Sequence, residues 1–275
     1  MSHELVGLIG LDREEVTELK ARVECRLVSF DMMPKVQLRD QHLYLARFGT
    51  WDWVGPVTKV VFHGIFEDDL PGIAALALWG GQCLPSASGL LDCRPRIANM
   101  ARVRRVSRFA TLPRSYTDAE TTFRTDTPSV AKWGEWHCGV GKERFTGEWT
   151  AQEPSLIEPF IEGEAVRVTA IGDTLFQLRL GGDDWKKSIH HAGADFVPLN
   201  SDLAADMRHL RDHFDLAVCA ADYIIAADGN PHLLELNHVP NVTQFPAIRS
   251  AYLDLAAQWI AEPPAVSPVL PIGHF

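Results

Sequence analysis

The apolar positions near the start of the chain come in short runs separated by polar clusters. Leu5 to Ile9 is an unbroken apolar run, too short for a helix and suited to a buried strand. Asp12-Arg13-Glu14-Glu15 follows, and then Val16, Leu19 and Val23 recur at helical spacing. Asp12 as N-cap with Glu15 at the third helical position makes a capping box. Cys25 to Phe30 is a second strand, so the chain opens as a strand-helix-strand α/β unit. Val57 to His63 reads as a further strand, Leu70 to Trp79 as a helix, and Pro85-Ser86-Ala87-Ser88-Gly89 as a boundary loop.

Downstream, Cys93 to Phe109 reads as a helix ending near Pro113. Asp126-Thr127-Pro128 is a turn, and Ser129 to Lys132 a short strand that enters a glycine-containing loop, Gly134 to Gly141. Leu156 to Ile161 is a strand carrying Pro159, and a proline removes a ladder donor, which predicts an edge position. Ala165 to Ile171 and Thr174 to Leu180 pair about a Gly172-Asp173 turn. Ser201 to His213 is an amphipathic helix capped by Asn200 or Ser201, and Ile248 to Ile260 is the last helix. Pro263 to Phe275 has no periodicity and reads as an irregular tail. No internal repeat is present.

A chain of 275 residues can bury one large core or two to three lobes. Its net charge of −10 argues against nucleic acid as the main partner, because that binding depends on phosphate neutralisation. The basic stretch from Arg94 to Arg114 reads as a solvated helix face. The five cysteines have no C-x-x-C pair, which suits reduced thiols in a cytoplasm. Met1-Ser2-His3-Glu4 lacks the features of a signal peptide, and the apolar stretch from Gly72 to Gly80 is too short to span a bilayer, so no membrane partner is expected.

The segment ADYIIAADGNPHLLELNHVPN, from Ala221 to Asn241, concentrates the chemistry. Two apolar runs joined by Asp228-Gly229-Asn230-Pro231 read as a hairpin. Asp222 near the start of one strand can then meet Glu235 and Asn237 near the end of the other. Glu235 and Asn237 are two apart and share one strand face. Two carboxylates and an amide oxygen are hard ligands suited to Mg²⁺, which keeps other positions for water and phosphate.

Three weaker signals accompany the hairpin. Lys132 and the glycines of the following loop could meet phosphate with a point charge and close backbone N–H groups. The strand with Glu158 and Pro159 could offer its backbone to a flat heterocycle, with Glu164 near ribose hydroxyls. Trp185 to Gly193 is a basic segment whose adjacent His190 and His191 point to opposite sides, a poor zinc pair. Walker A, the dinucleotide glycine fingerprint, H-E-x-x-H and G-x-S-x-G are all missing.

In order, a strand with Lys132, a glycine loop, E-P-F-I-E-G-E, V-R-V, W-K-K-S-I-H-H-A-G and L-E-L-N-H-V-P resemble the ATP-grasp superfamily, in its glutathione-synthetase or ribosomal-protein glutamate-ligase flavour. The resemblance covers roughly Pro85 to Ala261. It implies a mixed α/β and α+β fold: an N-terminal pre-ATP-grasp domain over 1–88, a small lobe over 89–161, and a large lobe with the metal site over 162–262, the two lobes clamping ATP. By the same resemblance, Lys132 contacts the α/β-phosphates, and the loop with Gly139 and Gly141 closes over them. Glu158, Phe160 and Ile161 lie against adenine, and Glu164 takes the ribose. Asp222, Glu235 and Asn237 hold Mg²⁺, or Mn²⁺ in its place. Arg167 and Arg179 face the γ-phosphate and acyl group, and Lys187, Ser188 and His190 stand near the transferred phosphate.

The implied reaction joins a carboxylate to an amine through an acylphosphate, with ADP and phosphate released, on small-molecule or peptide substrates. A metabolite kinase and a non-catalytic nucleotide-binding module are the alternatives, and a homodimer is a family-level expectation. Departures from the pattern are Ala165 where relatives carry an acid, bulky Trp136 and His137 in the loop, and no second phosphate lysine, with Arg96 or Arg102 in its place.

Overall fold

The computed structural model describes residues 4–135, 140–182, 184–186, 193–239 and 245–263. Gly139, Lys187, Ser188 and His190 of the expected site lie outside these residues, as do Trp136 and His137, Asn241, and the tail from 264 onward.

The opening α/β unit forms as its periodicity predicts. Strand β1 (Leu5–Ile9) is buried throughout and leads into α1 (Arg13–Lys20), which returns to β2 (Arg26–Phe30). The capping box is present: Asp12 Oδ1 accepts from the Glu15 amide at 2.7 Å, and Glu15 Oε2 accepts from the Asp12 amide at 2.8 Å. Next comes a small antiparallel sheet of β3 (Lys35–Arg39), β4 (His42–Ala46) and β5 (Val54–Val57), for which no strand was read in the sequence. Its apolar Val36, Leu38, Leu43 and Leu45 alternate over runs of only five residues. Strand β6 (Lys59–Phe62), α2 (Leu70–Trp79) and β7 (Gln82–Leu84) complete a parallel sheet in the order β2-β1-β6-β7.

The expected boundary loop at Pro85 to Gly89 is instead the start of a helix, α3 (Ala87–Cys93), capped by Ser86. Gly89 serves close approach, not a turn: a Cβ there would sit 2.1 Å from the Phe214 carbonyl oxygen. The single helix expected over Cys93 to Phe109 is also divided. Pro95 has no N–H to extend α3 and takes an extended backbone (φ −74°, ψ 117°), so α3 ends at Arg94 and a new helix, α4 (Arg96–Val103), begins after it.

Two sheets follow, and the cleft lies between them. The first contains β8 (Ser115–Thr117), β9 (Thr122–Trp133), β10 (Lys142–Thr150) and β11 (Ser155–Pro159), in the order β10-β9-β11-β8. Asp126 to Pro128 does not reverse the chain. It bulges within β9, where Ser129 pairs with Phe145 and Thr125 with Gly147. The edge expected from Pro159 is local: β8 covers β11 only from Ser155 to Ile157, leaving Glu158 and Pro159 without a neighbour on that side. The second sheet joins β12 (Gly163–Ile171), β13 (Thr174–Gly181), β14 (Gly193–Phe196), β15 (Val218–Ala226) and β16 (Pro231–Asn237), in the order β14-β13-β12-β15-β16. Helices α5 (Ser201–Phe214) and α6 (Pro246–Ala261) pack on its opposite faces, α5 beside Val168 and Ala170 and α6 beside Ala165 and Ile171. Asn200 caps α5 by accepting from the Asp202 and Leu203 amides.

A buried lysine ties the N-terminal sheet to α6. The Lys59 side chain is fully buried, and its Nζ donates to the Ile260 carbonyl at 2.7 Å, to the Trp259 carbonyl at 3.4 Å and to that of Glu262. These are C-terminal carbonyls of a helix, where a cation is favoured twice over, by hydrogen bonding and by the helix dipole. An ion pair to Glu4 at 3.2 Å completes the shell. Replacing Lys59 by Ala is expected to lower unfolding free energy by about 3–5 kcal/mol, the range for breaking a buried pair, read from urea denaturation.

His63, just beyond β6, packs on Tyr252 with ring centroids 4.9 Å apart. Burial pushes its pKa down from 6.5 to about 4, against a weaker opposing pull from Asp12. The unfolded chain therefore binds the proton first. The stability from a neutral His63 is complete above pH 6.5 and falls away as pH drops towards 4, by about 3 kcal/mol. Denaturation midpoints between pH 7 and 4 should show this slope, and His63→Gln should flatten it.

Candidate active site

Register brings the acidic set together. Asp222 on β15 lies directly opposite Glu235 on β16, and Asn237 lies opposite Ala220, one step along the same face. Directly opposed residues place their Cβ atoms about 5 Å apart. The Asn237 amide donates to Asp222 Oδ2 at 3.2 Å. All three residues are buried. On the other side of Asp222, Arg167 of β12 stands in register with it and makes a two-pronged pair, Nε to Oδ1 at 2.7 Å and Nη2 to Oδ2 at 2.9 Å. Behind this face, the Tyr223 hydroxyl donates to the buried Asp206 carboxylate at 2.9 Å, holding β15 against α5.

The opposing sheet supplies cations. Lys142, on β10, reaches across to Glu235 Oε2 at 2.9 Å. Lys132, on β9, pairs with Glu158 of β11 and also reaches the Leu234 carbonyl at 3.4 Å. Burial pushes the Lys132 ammonium below its usual pKa, while Glu158 pulls it back up. Between the sheets lies a cleft lined by Val130, Lys132, Lys142, Glu158, Phe160 and Ile161 on one side and by Asp222, Ile224, Leu234 and Glu235 on the other. Its apolar end suits a flat ring and its cationic end an anion. Arg144 lies 3.7 Å from the Phe160 ring centroid, and Trp185 meets the same ring edge-on at 6.3 Å.

Among the described site residues, then, Lys132, Glu158, Phe160, Ile161, Arg167, Asp222, Glu235 and Asn237 gather at one cleft. Glu164 is exposed at the start of β12, immediately before the cleft-lining Ala165. Arg179 does not join them. It stands opposite Val166, on the reverse face from Arg167, and pairs with Asp195 at the surface. Lys142, Arg114 and Leu234 belong to the site but carry no motif of their own. The apolar residues of β10 do not alternate, since Phe145 and Trp149 lie four apart across a bulge, so no pattern in the chain marks Lys142.

The arginines of the basic stretch also differ from expectation. Arg102 pairs with Asp92 on the surface, as a solvated residue would. Arg94 and Arg96 are buried. Arg94 pairs with buried Asp69 at 2.8 Å and donates to the Glu135 carbonyl. Arg96 Nη1 donates to the Trp133 carbonyl at 2.6 Å and the Gly141 carbonyl at 3.3 Å, while its backbone amide donates to the Glu135 carboxylate at 2.8 Å. Both ends of the loop are thus held by one guanidinium. Gly141 is required there: its φ is +66°, and a Cβ would stand 2.3 Å from the Trp133 carbonyl oxygen.

No group of three or more His, Cys, Asp or Glu side chains is arranged to hold a metal among the described residues. The set at the cleft is two carboxylates and an amide, fewer charged ligands than a closed protein cage but the kind of partial oxygen shell that Mg²⁺ shares with phosphate. The residues fit that ion.

No protein-family model and no curated protein matches the sequence. Solved structures do. D-alanyl-alanine synthetase A from Vibrio cholerae O1 biovar eltor aligns with a TM-score of 0.65 at 13% identity, over 94% of this chain and 98% of that one. A RiPP-associated ATP-grasp ligase from Chryseobacterium gregarium, in complex with ADP and a leader and core peptide, aligns at 0.60 and 13% identity, over 95% and 98%. The ATP-grasp ligase PsnB with minimal precursor, Mg and ADP aligns at 0.59 and 16% identity, over 95% and 99%. The chain has the ATP-grasp fold.

Replacing Arg96 by Ala is expected to speed amide exchange at Trp133, whose N–H donates to the Gly141 carbonyl at 2.9 Å, by about tenfold or more. Hydrogen-exchange mass spectrometry of the peptides covering both loop stems measures it. Unchanged exchange would remove Arg96 from the loop base.

Proposed function

We propose that this protein is an ATP-dependent carboxylate–amine ligase. The observation that carries the reading is the single row Arg167–Asp222–Glu235, with Asn237 beside it, facing Lys132 and Lys142 across an apolar-ended cleft of the ATP-grasp fold. Adenine would lie between Leu234 and the strand end at Glu158 to Ile161, with Glu164 towards the ribose. Lys132 and Lys142 would meet the polyphosphate. Asp222, Glu235 and Asn237 would hold Mg²⁺, which supplies charge neutralisation to the phosphates.

These carboxylates already rest against cations. Phosphate oxygens can take over Lys142 and Arg167 while the acids turn to the metal, so charges are exchanged rather than stripped bare in a buried site. In the reaction, a substrate carboxylate oxygen attacks the γ-phosphorus and the bond to the β-bridging oxygen breaks, giving ADP and an acylphosphate. The amine nitrogen then attacks the acyl carbon, loses a proton, and phosphate departs with the former carboxylate oxygen. Arg167 would bind the anionic acyl and phosphate oxygens as charge builds on them. The solved neighbours that hold leader, core or precursor peptides favour a peptide or a small molecule as the acceptor class.

Mg²⁺-dependent ADP release, screened against amino acids and short peptides with mass spectrometry of the products, tests this. A dehydrated adduct formed with ADP is the expected result; a phosphorylated compound alone would make the protein a kinase, and tight nucleotide binding with no turnover would favour a binding module. Glu235→Ala should abolish turnover in a folded protein, and full turnover in that variant would remove the metal assignment. Lys132→Ala should weaken nucleotide affinity, and unchanged affinity would mean that the phosphate end has been misplaced.

A further inference from the structure

Arg114 follows Pro113, immediately before β8, and ends the basic stretch that the sequence pattern assigns to a solvated helix face. Its side chain is 2% exposed, as is that of Glu158. Arg114 Nε donates to Glu158 Oε2 at 3.2 Å, and Nη2 donates to the Leu233 carbonyl at 2.7 Å. The other Glu158 oxygen, Oε1, is taken by Lys132, whose Nζ also reaches the Leu234 carbonyl. One buried carboxylate therefore lies between two cations, and both cations are anchored on consecutive carbonyls of β16. That strand carries Glu235 immediately afterwards.

Charge counting gives this arrangement a consequence. A lone Glu158 beside Lys132 would cancel its charge and hold the ammonium back from any incoming anion. With Arg114 sharing the carboxylate, the buried triad keeps one net positive charge. Lys132 is the member that lines the cleft, so that charge is presented there. The anchors on Leu233 and Leu234 also fix the first sheet against the strand that bears the acidic set. Arg114 Nη1 is buried with no hydrogen-bond partner among the described residues. A guanidinium kept there at such a desolvation cost is weak as a device for stability alone.

We propose that Arg114 is a positioning residue for nucleotide binding, which engages Glu158 so that the Lys132 charge remains available to phosphate. This rests on the nucleotide reading of the cleft. Arg114 acts through Glu158, and its effect should disappear when Glu158 is neutral.

The test is ADP binding by calorimetry in EDTA, which leaves the metal ligands out of the comparison, for the wild type, Arg114→Met, Glu158→Gln and the double variant. Arg114→Met should weaken ADP binding about tenfold or more, but less than about threefold in the Glu158→Gln background. Equal losses in both backgrounds would mean that Arg114 only supports the scaffold, and would overturn the proposal. Should Arg114→Met not fold, Arg114→Lys and Arg114→Gln replace it: Lys should hold affinity within about threefold and Gln lose about tenfold, and equal losses again overturn it. A folded wild-type protein that binds no ADP would instead overturn the nucleotide reading itself.

Discussion

The pairing of buried acids with cations around the cleft is the constraint on which the rest of the site depends. Asp222, Glu235 and Glu158 are all buried, and an isolated carboxylate in such a place would be strongly disfavoured. Each is matched: Asp222 by Arg167 within its own sheet, Glu235 by Lys142 from the opposing sheet, Glu158 by Lys132 and Arg114. One of these partnerships, Glu235 with Lys142, joins the two sheets. The charges therefore do two things at once. They offset the cost of burying the carboxylates, and the Glu235–Lys142 pair holds one wall of the cleft against the other.

The surrounding structure holds this arrangement from behind. Tyr223 and Ser107 both donate to Asp206, which fixes α5 under β15. Asn99 donates to the Leu236 carbonyl at 2.8 Å, tying α4 to β16 between Glu235 and Asn237. Arg94 and Arg96 connect the same helical segment to the loop stems and, through Asp69, to the N-terminal α/β unit. Pro95 makes this possible. By ending one helix and starting another, it aims two arginines, two residues apart, into the interior rather than along a solvated face.

One departure from sequence expectation comes from the strict period of two in a strand. Arg167 and Arg179 were both expected to face the transferred phosphate. The two-residue turn at Gly172-Asp173 places Ile171 opposite Thr174, and counting outward sets Arg167 opposite Leu178 and Arg179 opposite Val166. The arginines must then lie on opposite faces. That result follows from turn length alone and was open to sequence reasoning. The reading of Asp126 to Pro128 as a reversal failed for a different reason: turn residues also fill bulges, and only the pairing partner, β10, distinguishes the two.

What the sequence determined by itself was local. The capping box at Asp12, the extent of α2, the β12–β13 turn and the β15–β16 hairpin depend on residues within a turn or a hairpin of each other, where spacing dictates geometry. The gathering of Asp222, Glu235 and Asn237 belongs here too, since one hairpin brings them together. The tertiary structure decided the rest. Lys142 meets Glu235 across 93 positions, Arg114 meets Glu158 across 44 and Leu233 across 119, and Arg96 reaches Trp133 across 37. No periodicity encodes such distances. A lysine or arginine carries the same signature on a solvated face as in a buried pair, and only the packing of one sheet against another selects which of them faces the cleft.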